Sequence, residues 1–125
     1  MDFIDKEGLC MIEVNPRLQA TLDIVERAFD SNLFLLHEKA YHGSVEKMKN
    51  PQKIWGKAIL YAEKNIIIPE AHAWLDQWWM RDIPHPRERI LKSEPICTII
   101  ADGNDRNDCF EHLTERAEFV RAEIY

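Results

Sequence analysis

The last thirty residues of the chain leave the fewest options for its fold. From Arg106 to Ile124 the apolar residues Phe110, Leu113, Ala117, Val120 and Ile124 recur three and four apart, which is the period of one helix face. Asp105 and Asp108 stand where the positive end of a helix dipole favours carboxylates. A turn, Asp102-Gly103-Asn104-Asp105, precedes this helix. Before the turn, residues 96–101 (ICTIIA) are apolar at almost every position. A strand of that composition reads as buried on both faces or as central between two others. The chain is therefore predicted to end as strand, turn and long amphipathic helix, with Phe110 and Val120 buried against the rest of the domain.

The upstream segments supply the partners. Phe3-Ile4-Asp5 and residues 9–14 (LCMIEV) flank Lys6-Glu7-Gly8, where the glycine admits positive φ; this reads as a short β-hairpin. Asn15-Pro16 is a helix start, with Asn as N-cap and Pro at the first helical position. Leu18, Leu22, Val25 and Phe29 follow at helical spacing, and Leu33, Leu36 and Ala40 extend the stripe. Asp30-Ser31-Asn32 splits it in two, because all three side chains compete with helical backbone bonds. Gly43 is the expected stop. Asn50-Pro51 repeats the start signal, and Ile54, Ala58, Tyr61 and Ala62 predict another helix with Lys53, Lys57 and Lys64 on its opposite side. Ile66-Ile67-Ile68 reads as a strand or a buried joint. Pro69 opens a predicted helix over 69–81, and a short helix is expected over 87–92. The fold class read from this pattern is α+β over residues 1–125 as one compact domain. Four to five helices pack on a small, mainly antiparallel sheet formed by the N-terminal hairpin and strand 96–101.

Composition bounds the function. The chain has 46% hydrophobic residues, enough for a packed core rather than disorder. No apolar run approaches the ~18 residues of a membrane span. MDFIDKEG carries acids before any apolar run, which is not a secretory signal. Cys10, Cys97 and Cys109 are odd in number and far apart, so free thiols in a cytoplasmic protein are expected. The formal net charge of −6 is the wrong sign for a general nucleic-acid binder, and direct nucleic-acid binding is not expected. The charge is also segregated: residues 1–38 carry eight acids and three bases, residues 39–64 six lysines and two glutamates, and residues 102–125 seven acids and three arginines. The lysine-rich stretch either pairs with the acidic ends or docks a phosphate or acidic partner.

Three of the four tryptophans fall within six residues, at Trp74, Trp78 and Trp79 in AHAWLDQWWM. On the predicted helix Trp74 and Trp78 share a face and Trp79 lies about 100° further round. That arc is too wide for a helix burying one stripe. At least one ring is therefore expected outside, Trp79 or Trp74 before the third, as a partner anchor.

Catalytic motifs are thin. Arg106-Asn107-Asp108-Cys109-Phe110-Glu111-His112 resembles the Arg-Asn…His motif of the HEPN ribonucleases, helical domains in which Arg and His converge on a phosphodiester. That resemblance implies a small nuclease using Arg106 and His112. Tyr41-His42-Gly43-Ser44 is similar to an opening segment of some ADP-ribosyltransferases, where the histidine lies on a strand and holds the nicotinamide ribose; it implies a role for His42. Cys109 and His112 are three apart on one helix, but no CxxC or HxxxH announces a metal site, and His72 with Asp76 reads as a surface pair. There is no GxSxG and no glycine-rich phosphate loop. No catalytic residue, metal or cofactor is assigned.

The function expected from this sequence is a small acidic protein-interaction module, an inhibitor or modulator of a macromolecular partner, of the toxin-immunity or phage-modulator type by class analogy alone. Its partner would be a protein, basic or nucleic-acid-binding, met through Trp74, Trp78, Trp79, Glu111, Glu115 and Glu118. No membrane association is expected, and self-association stays open. The alternatives are the two enzymes above and a module in which the three tryptophans cage a small cation or stack on a base.

Overall fold

The computed structural model describes residues 2–5, 8–13, 19–70 and 73–125. In chain order the elements are β1 (Asp2–Asp5), β2 (Leu9–Glu13), α1 (Leu22–Phe29), α2 (Leu33–Tyr41), β3 (Ile54–Tyr61), β4 (Ile66–Ile67), a 3-10 turn of helix (Ala73–Asp76), β5 (Met80–Arg81), β6 (Arg89–Ile90), β7 (Pro95–Gly103) and α3 (Arg106–Ile124). The class is α+β, with three α-helices among the described residues rather than four or five.

Strand β7 is central, as its unbroken apolar run requires. It pairs antiparallel with β3 on one side and β5 on the other, and Ile96 to Ala101 are all buried. Its neighbour β3 corrects the helix predicted after Asn50-Pro51. The segment Ile-Trp-Gly-Lys-Ala-Ile-Leu-Tyr carries isoleucine and aromatic residues that suit a pleated surface. A ladder from Ile54↔Gly103 to Tyr61↔Pro95 outweighs the helical spacing of Ile54 and Ala58. The hairpin β1–β2 forms as expected, with Ile4 opposite Cys10 and Gly8 at φ 139°. It is a two-stranded sheet of its own and does not join β7. Residues 69–81 are not one helix: the 3-10 turn ends at Asp76, and Met80 enters the sheet opposite Ile99. Residues 87–92 supply β6, which pairs with β4 through Ile66↔Ile90.

Helix α3 forms where predicted and covers one face of the three-stranded sheet. Asp105 caps it, its side chain accepting from the backbone N–H groups of Asn107 and Asp108 at 2.8 and 2.9 Å. Gly56 and Gly103 let it approach: a Cβ at Gly56 would lie 2.9 Å from Cys109 Sγ, and one at Gly103 2.2 Å from the Cys109 backbone nitrogen. The core gathers Leu60, Ile66, Ile68, Trp74, Met80, Ile90, Ile96, Cys97, Ile99, Ala117 and Val120. Each large aliphatic side chain buried there contributes on the order of 1.5–3 kcal/mol. Val120 is fully buried as expected, but Phe110 is 70% exposed. Phe110 shares the helical spacing, yet it sits at the flank of the stripe, one turn before the sheet contact made by Leu113 and Ala117.

Helices α1 and α2 are separated at Asp30-Ser31-Asn32, as the sequence indicates. Asp30 takes a left-handed conformation (φ 45°) that ends α1, and the Asn32 side chain caps α2 by accepting from Leu35 N–H. Gly43, at φ 84°, stops α2. There Ser44 N–H donates to Lys39 O and Gly43 N–H to Ala40 O, a Schellman arrangement. The start signal at Asn15-Pro16 lies outside the described residues. Neither α1 nor α2 contains a buried residue.

Candidate interaction surface

The tryptophans part company once 69–81 is not a helix. Trp74 lies on the 3-10 turn and is fully buried, and Trp79 is buried beside it. The Trp79 carbonyl accepts from Ile100 N–H at 2.8 Å, and its ring meets Phe119 edge-on at 5.8 Å. Trp78 is the ring left outside, 49% exposed, in the turn that leads into β5. The expectation of one exposed indole holds, but the ring is neither Trp79 nor Trp74.

Trp78 sits among cations. Arg27 of α1 lies over it at 5.3 Å and Arg116 of α3 at 5.0 Å. Arg27 also lies over Trp55 of β3 at 5.7 Å, and Arg116 over Trp79 at 5.4 Å. Trp55 and Trp78 meet edge-on at 6.2 Å. Arg116 donates to the Ile100 carbonyl, and Arg81 donates to the Trp78 carbonyl at 2.8 Å. Among the described residues none of these three guanidinium groups has a carboxylate in ion-pair reach. Burial holds the Arg116 pKa below its ordinary value. The three clustered tryptophans therefore do not line one open cage: two are core, and the third already has the chain's own cations over it. Arg27, Trp55 and Arg116 carried no sequence signal; they meet only because α1, β3 and α3 converge.

On the outer side of α3, Glu111, Glu115 and Glu118 are exposed, with Phe110 and Phe119 flanking them by helical rotation. Glu118 pairs with Arg121 at 2.7 Å, and Arg121 reaches Glu63 at 3.3 Å. The lysine-rich stretch is largely matched within the chain. Lys39 meets Glu46, Lys49 meets Asp30, Lys53 meets Asp102 and Lys57 meets Asp23. Lys64 lies over the Tyr125 ring. The helix face expected to carry Lys53, Lys57 and Lys64 does not exist, since 54–61 is a strand and Lys53 and Lys64 lie outside it.

The motif residues do not converge. Arg106 and His112 are six apart on α3 and point about 120° away from each other. Arg106 is exposed. The His112 ring takes the Asp102 carbonyl at 2.7 Å through Nδ1 and Asp108 at 3.5 Å through Nε2. The Asp102 carbonyl, and behind it Asp108, raise the His112 pKa. The hydrogen bond from Lys53, 2.5 Å away, lowers the Asp102 pKa and raises that of Lys53. His42 caps the C-terminal end of α2 with its ring against Tyr41, not on a strand as the transferase resemblance implies. Burial pushes the Cys97 thiol up to about 12 and raises that of Cys109 as well, which suppresses the reactive thiolate. The Cys109 thiol turns inward to the Ala101 carbonyl at 3.5 Å. His72, the proposed partner of Asp76, lies outside the described residues. Among the described residues no three His, Cys, Asp or Glu side chains are grouped to hold a metal, and no helix is long and apolar enough to cross a membrane.

No protein-family model matches the chain, and no solved structure matches it. The chain is similar to an uncharacterized protein of Methanocaldococcus jannaschii, 29% identical over 122 residues. The match covers 97% of this chain but 30% of that protein, so the chain spans less than a third of the length of the relative it matches.

Proposed function

We propose that this chain is a protein-interaction module that inhibits or modulates a macromolecular partner. One observation carries the reading. Ile4, Met11, Ile12, Phe34, Leu35, Tyr41 and Val45 are each at least half exposed, and among the described side chains none before Leu60 is buried. Large apolar side chains left exposed in that number over one stretch of chain are tolerated chiefly where a partner covers them. The exposed glutamates of α3 give the approach its sign, steering a basic protein. Trp78 offers an aromatic edge of the kind that anchors interfaces.

Photo-crosslinkers placed at Phe34 and Tyr41 test this in the source cell. The expected product is one dominant heterologous protein adduct. Association with that protein slows steeply as salt rises, and weakens when Glu111, Glu115 and Glu118 are reversed to Lys. A ladder of self-adducts alone would replace the heterologous partner with a second copy, and an absence of adducts at both positions would refute the module.

A further inference from the structure

An open groove of about 720 Å³ lies between the end of α1 and the segment leading into β3. Arg27, Lys49 and Lys53 line it, with the amides of Asn50 and Gln52, the ring of Trp55 and one acid, Asp30. Three cations line it against one carboxylate, with a second, Asp102, on Lys53, in a chain of net charge −6.

The three cations are not equivalent. Arg27 is held by two aromatic rings, 5.7 Å from Trp55 and 5.3 Å from Trp78. Stacking fixes a guanidinium in place without neutralising it, which leaves its fork of N–H donors for an oxyanion. Lys49 pairs only loosely with Asp30, at 3.7 Å between side chains 79% and 91% exposed. Such a pair contributes little and opens readily. Lys53 is tied to Asp102, a nearly neutral pair that leaves Arg27 and Lys49 as the cations free to meet an anion. The backbone carbonyls at the end of α1 oppose an anion, but the Arg27 and Glu26 carbonyls already accept from Asp30 and Ser31 N–H. The volume far exceeds one phosphate and falls in the range of small-molecule sites. Trp55 adds an aromatic wall, and the Asn50 side-chain amide and the Gln52 amide oxygen add polar groups of the kind that read a base or a sugar, the Gln52 Nε2 itself donating to the Asn50 carbonyl at 3.3 Å.

We propose that this groove binds a nucleoside phosphate, with the phosphate on Arg27 and Lys49 and the base beside Trp55. The assignment is independent of the protein partner inferred above, since Phe34, Tyr41 and the α3 glutamates lie outside the groove lining.

Calorimetric titration of the intact chain at low salt tests it, with AMP, adenosine and inorganic phosphate as separate probes. AMP should bind saturably, and adenosine and phosphate each at least about tenfold more weakly. Lys49→Glu should weaken AMP about tenfold or more, because it places a carboxylate against the phosphate, while the melting temperature changes little because the Lys49 side chain is 79% exposed and its pair with Asp30 is loose. The proposal is overturned by AMP that fails to saturate at millimolar concentration. It is equally overturned by phosphate or adenosine binding as tightly as AMP, or by Lys49→Glu that folds and binds AMP like the parent. Arg27→Lys gives a second reading: charge is kept but the stacked fork is lost, so AMP should weaken again, and unchanged binding would remove Arg27 from the site.

Discussion

Two glycines set how closely α3 lies on the sheet, and they differ in what blocks a side chain there. At Gly103 a Cβ would meet the backbone of Cys109 at 2.2 Å and of Asp108 at 2.8 Å. Backbone at the first turn of a capped helix has nowhere to go. Gly103→Ala should lower stability by about 3 kcal/mol or more. At Gly56 the obstacles at 2.9 Å are Cys109 Sγ and a Leu113 methyl, the far ends of side chains that can rotate. Gly56→Ala should therefore cost less, about 1–2 kcal/mol. Thermal melts of the two variants decide it; equal losses would mean that α3 slides as a body and that neither contact is local. Neither glycine was legible from sequence, because a close approach between elements is a property of two distant segments. Trp78 was half legible. Crowded indoles signal that one must lie outside, but which one depends on where the 3-10 turn hands over to β5, and that handover has no marker in WLDQWWM.

At the scale of elements, the legible ones were those whose pattern and environment agree. Helix α3 has one buried face, with Asp105 at its N-cap and Asp108 in its first turn. Strand β7 is apolar throughout because it has neighbours on both sides. Strand β3 was misread because α3 covers one of its faces and α1 part of the other, so it lacks a clean alternation, and Asn50-Pro51 counterfeits a helix start. The hairpin was legible as a hairpin, but nothing in its residues told which sheet it would join. The junction of β7 with α3 carries a pH dependence of predictable sign. His112 has a folded pKa raised above its ordinary 6.5 by the Asp102 carbonyl and Asp108. Its protonated form is thus favoured by folding. That contribution is complete below the unfolded pKa and is lost as pH rises through the folded one. The difference in melting temperature between the parent and His112→Gln should be largest near pH 5–6 and shrink toward pH 8. A difference that grew with pH would show that folding favours the neutral ring instead.

Among the described side chains, the molecule divides into a part that buries and a part that does not. Every fully buried side chain among the described residues lies from Leu60 onward. The earlier helix α1 is tied to the sheet by polar and cation-π contacts: Lys57 to the Ala20 carbonyl at 2.7 Å and to Asp23 at 3.3 Å, and Arg27 against Trp55 and Trp78. Such ties hold a helix in place but add little to its protection, because opening them exposes little apolar surface. Helix α2 leaves Phe34, Leu35 and Tyr41 exposed and is nine residues long, too short to be stable without packing. Native-state hydrogen exchange should therefore be sharply graded. The amides of Ile99, Ile100 and Ala101, in a strand paired on both sides, should exchange only by global unfolding. Those of α2 should exchange at least about a hundredfold faster, through local opening. A covering partner changes this gradient in one place. Protein bound on the exposed apolar side chains must slow exchange in α2 while leaving β7 at its global limit, since a ligand stabilises only the openings that release it. If α2 in the free chain is already as protected as β7, then its apolar residues are covered within a second copy, and the surface attributed to a heterologous partner is a self-interface.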